Sequence, residues 1–331
     1  MILTTPKRLQ AMGVLGINER NSEYIMRLNP RRLYPSVDDK AITKELALEA
    51  GMAVPELYGV ISHQGEVREF AEVVRELDSF VIKPARGSGG EGILVITGRS
   101  KRKRDTFRLS SGLLITEAEI AFHISNTVSG QYSLGGTPDK ALLEYCVRFD
   151  PVFEGVSYQG VPDIRVIVYR GYPMMAMVRL PTQASDGKAN LHQGAVGAGV
   201  DMSGGETLTG VLGNRIVDEH PDTGALISGL RIPQWDFILQ SAARGYEVTG
   251  LGYLGVDMVI DRDLGPLILE MNARPGLNIQ IANGEGLAKR LARIDAIYDP
   301  KATPAERARV ARREFAAERQ TSIPFDAVEA V

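Results

Sequence analysis

The stretch Val256–Asn278, VDMVIDRDLGPLILEMNARPGLN, sets acids inside apolar runs in a way that an ordinary buried strand does not. Leu267, Ile268 and Leu269 read as a buried β-run, yet Glu270 and Asn272 follow at once, and Arg274-Pro275-Gly276 then break the strand. Burying a carboxylate is costly unless something compensates it. If the chain turns between Asp263 and Leu264, Asp257 lies directly opposite Glu270. Opposed residues in an antiparallel pair share a face, with Cβ atoms about 5 Å apart. Asn272, two residues along the strand, shares that face too. Two carboxylates this close repel unless a cation lies between them, and hard oxygen donors favour Mg2+ or Mn2+. The plainer alternative is a solvated hairpin edge with incidental acids. The apolar flanks Met258, Val259 and Leu267–Leu269 weigh against it, so the expectation is a divalent metal that carries phosphates.

A second motif lies upstream. SFVIKP reads as a strand, ARGSGGEG as a loop and ILVIT as the next strand, so the glycines join two strands. No G-K-[ST] closes the loop, which excludes a Walker loop, and a strand rather than a helix follows, which excludes a dinucleotide fingerprint. Glycines of this kind free backbone N–H groups to wrap an anion. Lys83 at the end of the incoming strand would add a point charge, with Arg86 and Ser88 beside it. A mobile hairpin loop is the bland alternative.

Elsewhere the patterns alternate. SVDDKAITKELALEAG reads as a helix capped by Ser36 or Asp38 and ended by Gly51. MAVPELYGVI reads as a strand and Val67–Leu77 as a short helix. Thr116 and Glu119 form a capping box for a helix to about Ser129. DKALLEYCVRF is a strand, and DIRVIVYRGYPMMAMVRL is a hairpin turning at Gly171-Tyr172. DGKANLHQGAVGAGVD reads as a polar, glycine-rich loop. PQWDFILQSAARGYEVTG is a helix, and two more, near Gly286–Tyr298 and Pro304–Glu318, close the chain. Strands in hairpins with helices between them predict an α+β fold.

The chain has 331 residues, 44% of them apolar, and a formal net charge of −3. That balance gives no reason to expect a nucleic-acid partner or membrane insertion. One cysteine, Cys146, excludes an internal disulfide framework and fits a reducing compartment. The N-terminus is a poor signal peptide and no apolar run reaches membrane-spanning length, so a cytoplasmic protein is expected.

In their order these motifs resemble the ATP-grasp superfamily of carboxylate–amine ligases from about Val37 to Ala288. GVDMVIDRDLGPLILEMNARPGL, DIRVIV and ANLHQG are similar to the RimK-type glutamate ligases, and closer still to the glutamate-ligase-like, sugar-transfer-associated branch. The resemblance implies two α+β lobes clamping ATP, with the usual N-terminal pre-grasp subdomain short or missing. It implies a short segment over 1–36 in place of that subdomain, a small lobe with the glycine loop over 37–145, a core lobe with the metal site over 146–290, and C-terminal helices and tail over 291–331. Lys40 and Lys83 resemble the two phosphate-contacting lysines, and Arg86, Gly87, Ser88, Gly89, Gly90, Glu91 and Gly92 the loop that closes over the phosphates. Glu144, Tyr145 and Cys146 stand where the family holds adenine, and either Asp150 or Glu154 would take the ribose. Arg165 of Asp163-Ile164-Arg165 would face the transferred phosphoryl group, and Asn190 and His192 would lie near the acyl phosphate. Asp257, Glu270 and Asn272 match the Mg2+ (or Mn2+) ligands, and Arg274 a phosphate or carboxylate contact. Lys40 comes early for the family, and Gln193 and Arg274 replace the usual arginine and small residue, which bears on glutamate as substrate.

The implied reaction joins a carboxylate substrate to an amine acceptor at the expense of ATP, through an acyl phosphate. An acidic peptide is one candidate acceptor, and a homo-oligomer one candidate assembly. A phosphoryl transferase, an enzyme of sugar or envelope-polymer modification, and a non-catalytic nucleotide-binding module are the alternatives. The basic run Arg99, Lys101, Arg102, Lys103, Arg104 and Arg108 is either a solvated loop or a docking strip for an acidic acceptor.

Overall fold

Two antiparallel sheets make up the computed structural model, which describes residues 5–316 apart from 88, 102, 104 and 134. Ser88, Arg102 and Arg104 therefore lie outside the described residues, and the closing helix ends at Glu314, short of the expected Glu318.

The smaller sheet holds β1 (Leu57–Ile61), β2 (Phe80–Pro84), β3 (Leu94–Arg99), β4 (Thr106–Leu109), β5 (Leu114–Thr116) and β6 (Ala141–Glu144), in the order β1-β6-β2-β3-β4-β5. The helix Glu117–Val128 packs across β2, β5 and β6. Thr116 and Glu119 form its capping box, as read from the sequence. Burial of Phe80, Ile82, Phe107, Ile120 and Ile124 gives this sheet its own core. Part of the basic run is strand rather than solvated loop. Arg99 ends β3, donates to the carbonyls of Val74, Arg75 and Leu77, and lies over the Phe107 ring.

The larger sheet holds β7 (Asp163–Tyr169), β8 (Tyr172–Leu180), β9 (Val196–Val200), β10 (Thr207–Leu212), β11 (Arg215–Val217), β12 (Tyr253–Asp261) and β13 (Gly265–Asn272), in the order β11-β10-β9-β8-β7-β12-β13. The helix Trp235–Thr249 packs on β7, β8 and β12, and the helix Pro304–Glu314 packs on it and on β8. Val37, Ala47 and Met52, which the sequence reading placed with the smaller lobe, pack into this larger core. Among the described residues no helix is long and apolar enough to cross a membrane.

Only the first half of DGKANLHQGAVGAGVD is a loop; Val196–Val200 is a fully buried strand between β8 and β10. Its glycines are there for close approach. A Cβ on Gly199 would stand 2.5 Å from the Ala282 carbonyl oxygen and 2.9 Å from the Asn283 Cα, both in the helix Ile279–Asn283 that rests on the strand. Neither atom is a flexible side-chain tip. Gly199→Ala is therefore expected to cost about 1–3 kcal/mol, the usual range for overpacking a tight contact, read as a lower urea midpoint at unchanged slope.

Candidate functional site

The hairpin β12–β13 pairs Asp257 with Glu270, as expected, but for a different reason. The turn is centred on Asp263, half a residue earlier than the sequence reading placed it, with Asp261 opposite Gly265. Uninterrupted, that register would set Asp257 against Leu269. A β-bulge takes up Leu269 and brings Glu270 across. Across four strands one row then reads Met177, Arg165, Asp257, Glu270.

Asp257 is 1% exposed. Arg165 donates through Nε to Oδ1 at 2.7 Å and through Nη2 to Oδ2 at 2.5 Å, and Arg179 Nη2 donates to Oδ2 at 2.8 Å. Arg179 also clasps Asp163 with two hydrogen bonds. Burial by itself would raise the Asp257 pKa, but Arg165 and Arg179 outweigh it and hold the carboxyl well below the usual range. Burial pushes Asp163 up to about 6, with Asp257 adding to the rise and Arg179 opposing it. Of the two acids sharing Arg179, Asp257 is the stronger, because two guanidinium groups donate to it and one donates to Asp163.

Arg179 is absent from the sequence reading for a definable reason. A turn at Gly171-Tyr172 would put Asp163 opposite Leu180. The actual turn at Arg170-Gly171, with a bulge between Ile167 and Val168, puts it opposite Arg179. The paired carboxylates thus meet cations of the protein itself, which the spacing in the sequence does not show. Asp163, Asp257 and Glu270 are matched by Arg165, Arg179 and Lys40.

Lys40 opens the helix Lys40–Glu49, whose cap is Asp39, accepting from Ala41 N at 3.0 Å, and not Ser36 or Asp38. Its Nζ donates to the Gly87 carbonyl oxygen at 2.7 Å and lies 3.6 Å from Glu270 Oε2. The glycine loop is seated at both ends. Gly87 bridges to Ser133, and the Gly92 carbonyl lies 2.9 Å from His123 Nε2. Gly92 has φ +72° and lies so close to Tyr132 that a Cβ would meet the ring at 2.5 Å. Glu91 is exposed. Arg86 donates its N–H to Asp139, and its guanidinium lies 3.5 Å from Asp39. Asn190 Nδ2 reaches the Gly89 carbonyl at 3.4 Å, so the loop of Asn190 and His192 touches the glycine loop. A small cleft beside it is lined by Arg165, Arg179, Asn190, His192 and Asn278.

Lys83 belongs to a separate cluster. It pairs with Glu144, whose other side meets Lys44 at 2.9 Å. Burial would raise the Glu144 pKa, but Lys83 and Lys44 outweigh it and keep the group below the usual range. Tyr145 N donates to the Glu56 carbonyl at 2.8 Å. Burial, with Asp261 adding, pushes the Cys146 thiol up to about 11. Asp150 caps the turn Pro151–Val156 and Glu154 pairs with Arg262, so both ribose candidates are already engaged. Arg274 stands apart from both clusters: its guanidinium lies over the Tyr34 ring and 3.4 Å from Asp38.

Among the described residues no three His, Cys, Asp or Glu side chains converge as a metal cluster. The donor set of two carboxylates and the Asn272 amide oxygen nonetheless fits a hard cation. The Glu270 side chain is 34% exposed, and Asn272 Oδ1 spends only one lone pair, on Arg274 N at 2.8 Å. Because the local charge is already balanced, such an ion fits only together with an anion such as a phosphate.

The family model described as sugar-transfer-associated ATP-grasp matches residues 19–296. Among solved structures, the chain is similar to the ATP-grasp ligase PsnB complexed with a minimal precursor: 15% identity, TM-score 0.43, covering 80% of this chain and 62% of that one. It is similar to D-alanyl-alanine synthetase A from Vibrio cholerae O1 biovar eltor (13%, TM-score 0.46, 80% and 65%). It is also similar to D-alanine–D-alanine ligase from Bacillus anthracis (14%, TM-score 0.43, 85% and 71%). The chain thus spans less than two thirds of the length of the first two. No curated protein matches. On the family match over most of its length, the chain belongs to the sugar-transfer-associated ATP-grasp family.

Proposed function

We propose that this chain is an ATP-dependent carboxylate–amine ligase working through an acyl phosphate with Mg2+ or Mn2+. The carrying observation is Lys40, whose ammonium touches the glycine loop at Gly87 and the acidic hairpin at Glu270 at once. One cation thereby joins the motif suited to wrapping phosphates to the motif suited to holding their metal.

In this reading Lys40, Lys83 and the glycine-loop N–H groups hold the triphosphate, and Asp257, Glu270 and Asn272 hold the metal, which when bound would offset phosphate charge. Glu144, Tyr145 and Cys146 line the adenine side. A substrate carboxylate oxygen attacks the γ-phosphorus and ADP leaves; an amine nitrogen then attacks the acyl carbon, phosphate leaves, and the amine gives up a proton. Carboxylate and triphosphate repel, so positioned cations must offset that charge. Arg165 and Arg179 line the cleft next to Asn190 and His192, where a carboxylate substrate would meet two guanidinium groups. Arg274, outside that cleft, would reach a phosphate or the substrate carboxylate only after leaving Tyr34 and Asp38. Closure of the glycine loop would keep water from the acyl phosphate.

The test is incubation with Mg-ATP, pooled amino acids and cell extract, followed by mass spectrometry. A new amide, with ADP and phosphate formed only when an amine is present, is the expected result. A phosphorylated product without an amide would favour phosphoryl transfer instead, and ATP bound with no ADP formed against any mixture would leave a binding module.

A further inference from the structure

We propose that Lys44 is a positioning residue for the nucleotide, holding the Glu144 charge so that Lys83 is free to turn to a phosphate. The inference rests on the ligase reading above and deepens it at the phosphate site.

Three charged side chains are buried together between the helix Lys40–Glu49 and the smaller sheet. The side chains of Lys44, Lys83 and Glu144 are only 2%, 7% and 5% exposed. Two ammonium groups for one carboxylate is one more than pairing requires. The two lysines are held differently. Lys44 is tied twice, to Glu144 at 2.9 Å and to the Pro55 carbonyl at 2.7 Å. Lys83 pairs with Glu144 alone among the ion pairs of the described residues, and it stands on β2 at the foot of the glycine loop.

Consider Lys83 swinging toward a phosphate. If Glu144 had no other partner, the move would leave a buried carboxylate uncompensated, and the penalty would oppose binding. Lys44 removes that penalty, because it remains against Glu144 whichever way Lys83 points. The surplus positive charge in the cluster is then available to the nucleotide. Burial is a real cost to Lys44, lowering its pKa to about 8 against the pull of Glu144. A lysine serving only to stabilise the fold would be an expensive choice for that position.

Lys44 lies one helical turn beyond Lys40, so both project from one face. Lys40 reaches the acidic hairpin and Lys44 reaches the smaller sheet. The helix thereby links the two charged clusters.

The test is titration calorimetry of the full chain with Mg-AMPPNP. Lys44→Met should weaken binding by at least about tenfold, since Glu144 then keeps Lys83. Lys44→Arg, which retains the charge, should bind within about threefold of the parent. The double variant Lys44→Met/Glu144→Gln should bind more tightly than Lys44→Met alone, because a neutral amide in place of the carboxylate has no hold on Lys83. Binding of Lys44→Met equal to the parent, or a double variant no better than Lys44→Met, overturns the proposal while leaving the ligase reading in place. If Lys44→Met does not fold, Glu144→Gln and the double variant decide: equal affinities support the role, and a further loss on removing Lys44 overturns it. A parent chain that binds no Mg-AMPPNP overturns both readings.

Discussion

Glu270→Gln is expected to leave the fold standing and to lower the rate of amide formation by about a thousandfold, the loss typical of removing one charged contact to the developing transition state. The glutamine keeps the size and one acceptor oxygen but gives up the negative charge. Structurally little depends on that charge, because Glu270 is partly exposed and its nearest cation, Lys40, is 3.6 Å away with a second partner at Gly87. The cost to stability should stay under about 1 kcal/mol, as for other partly solvated pairs. Chemically the charge matters more, since Glu270 is the more accessible of the two opposed carboxylates and the better placed to meet a metal–phosphate group. Steady-state ADP release with the acceptor found by the amide search, paired with a melting curve, checks both halves. Undiminished turnover at saturating Mg2+ would remove Glu270 from the site.

Asp257→Asn should do the reverse in the first instance and strike the fold. Asp257 accepts three hydrogen bonds from two nearly buried guanidinium groups. An asparagine offers one carbonyl oxygen and turns an NH2 group toward donors that have no use for it. Arg179 would keep Asp163, and Arg165 would lose its one carboxylate partner among the ion pairs of the described residues. Breaking a buried pair in this way costs about 3–5 kcal/mol, a large fraction of the stability of an ordinary domain. Urea titration of the variant against the parent measures it. A loss below about 1 kcal/mol would mean that the arginines find other partners and that the network is looser than its geometry implies. The contrast between the two substitutions is the useful part, because Asp257 and Glu270 face each other in one hairpin and differ chiefly in burial.

Much of the architecture could be read locally. The capping box at Thr116 and Glu119 and the strand pair around the glycine loop depend on residues close in sequence, where spacing and turn chemistry govern, whereas Asp257 faces Glu270 only because a bulge at Leu269 offsets a turn centred half a residue earlier. Misreadings arose where register or close approach intervened. The strand Val196–Val200 looked like a loop because its glycines and alanines carry little hydrophobic signal, and what fills the space is a helix more than 75 residues later that needs their small size. Asp39, and not Ser36 or Asp38, caps the helix Lys40–Glu49, because a separate short turn of helix takes up Pro35–Asp38.

The sequence alone determined which chemical groups this protein has to work with and the order in which hairpins and helices present them. Only the tertiary structure decided how the charges are matched. Arg179 meets Asp163 and Asp257 through a turn one residue earlier combined with a bulge between Ile167 and Val168. Lys40 meets Glu270 across 230 residues. Lys44 and Lys83 share Glu144 because a helix and two strands converge there. The physical reason is that register and burial are properties of the packed chain. A shift of one residue moves a side chain to the other face of a sheet, and the cost of an unpaired charge exists only once water has been excluded.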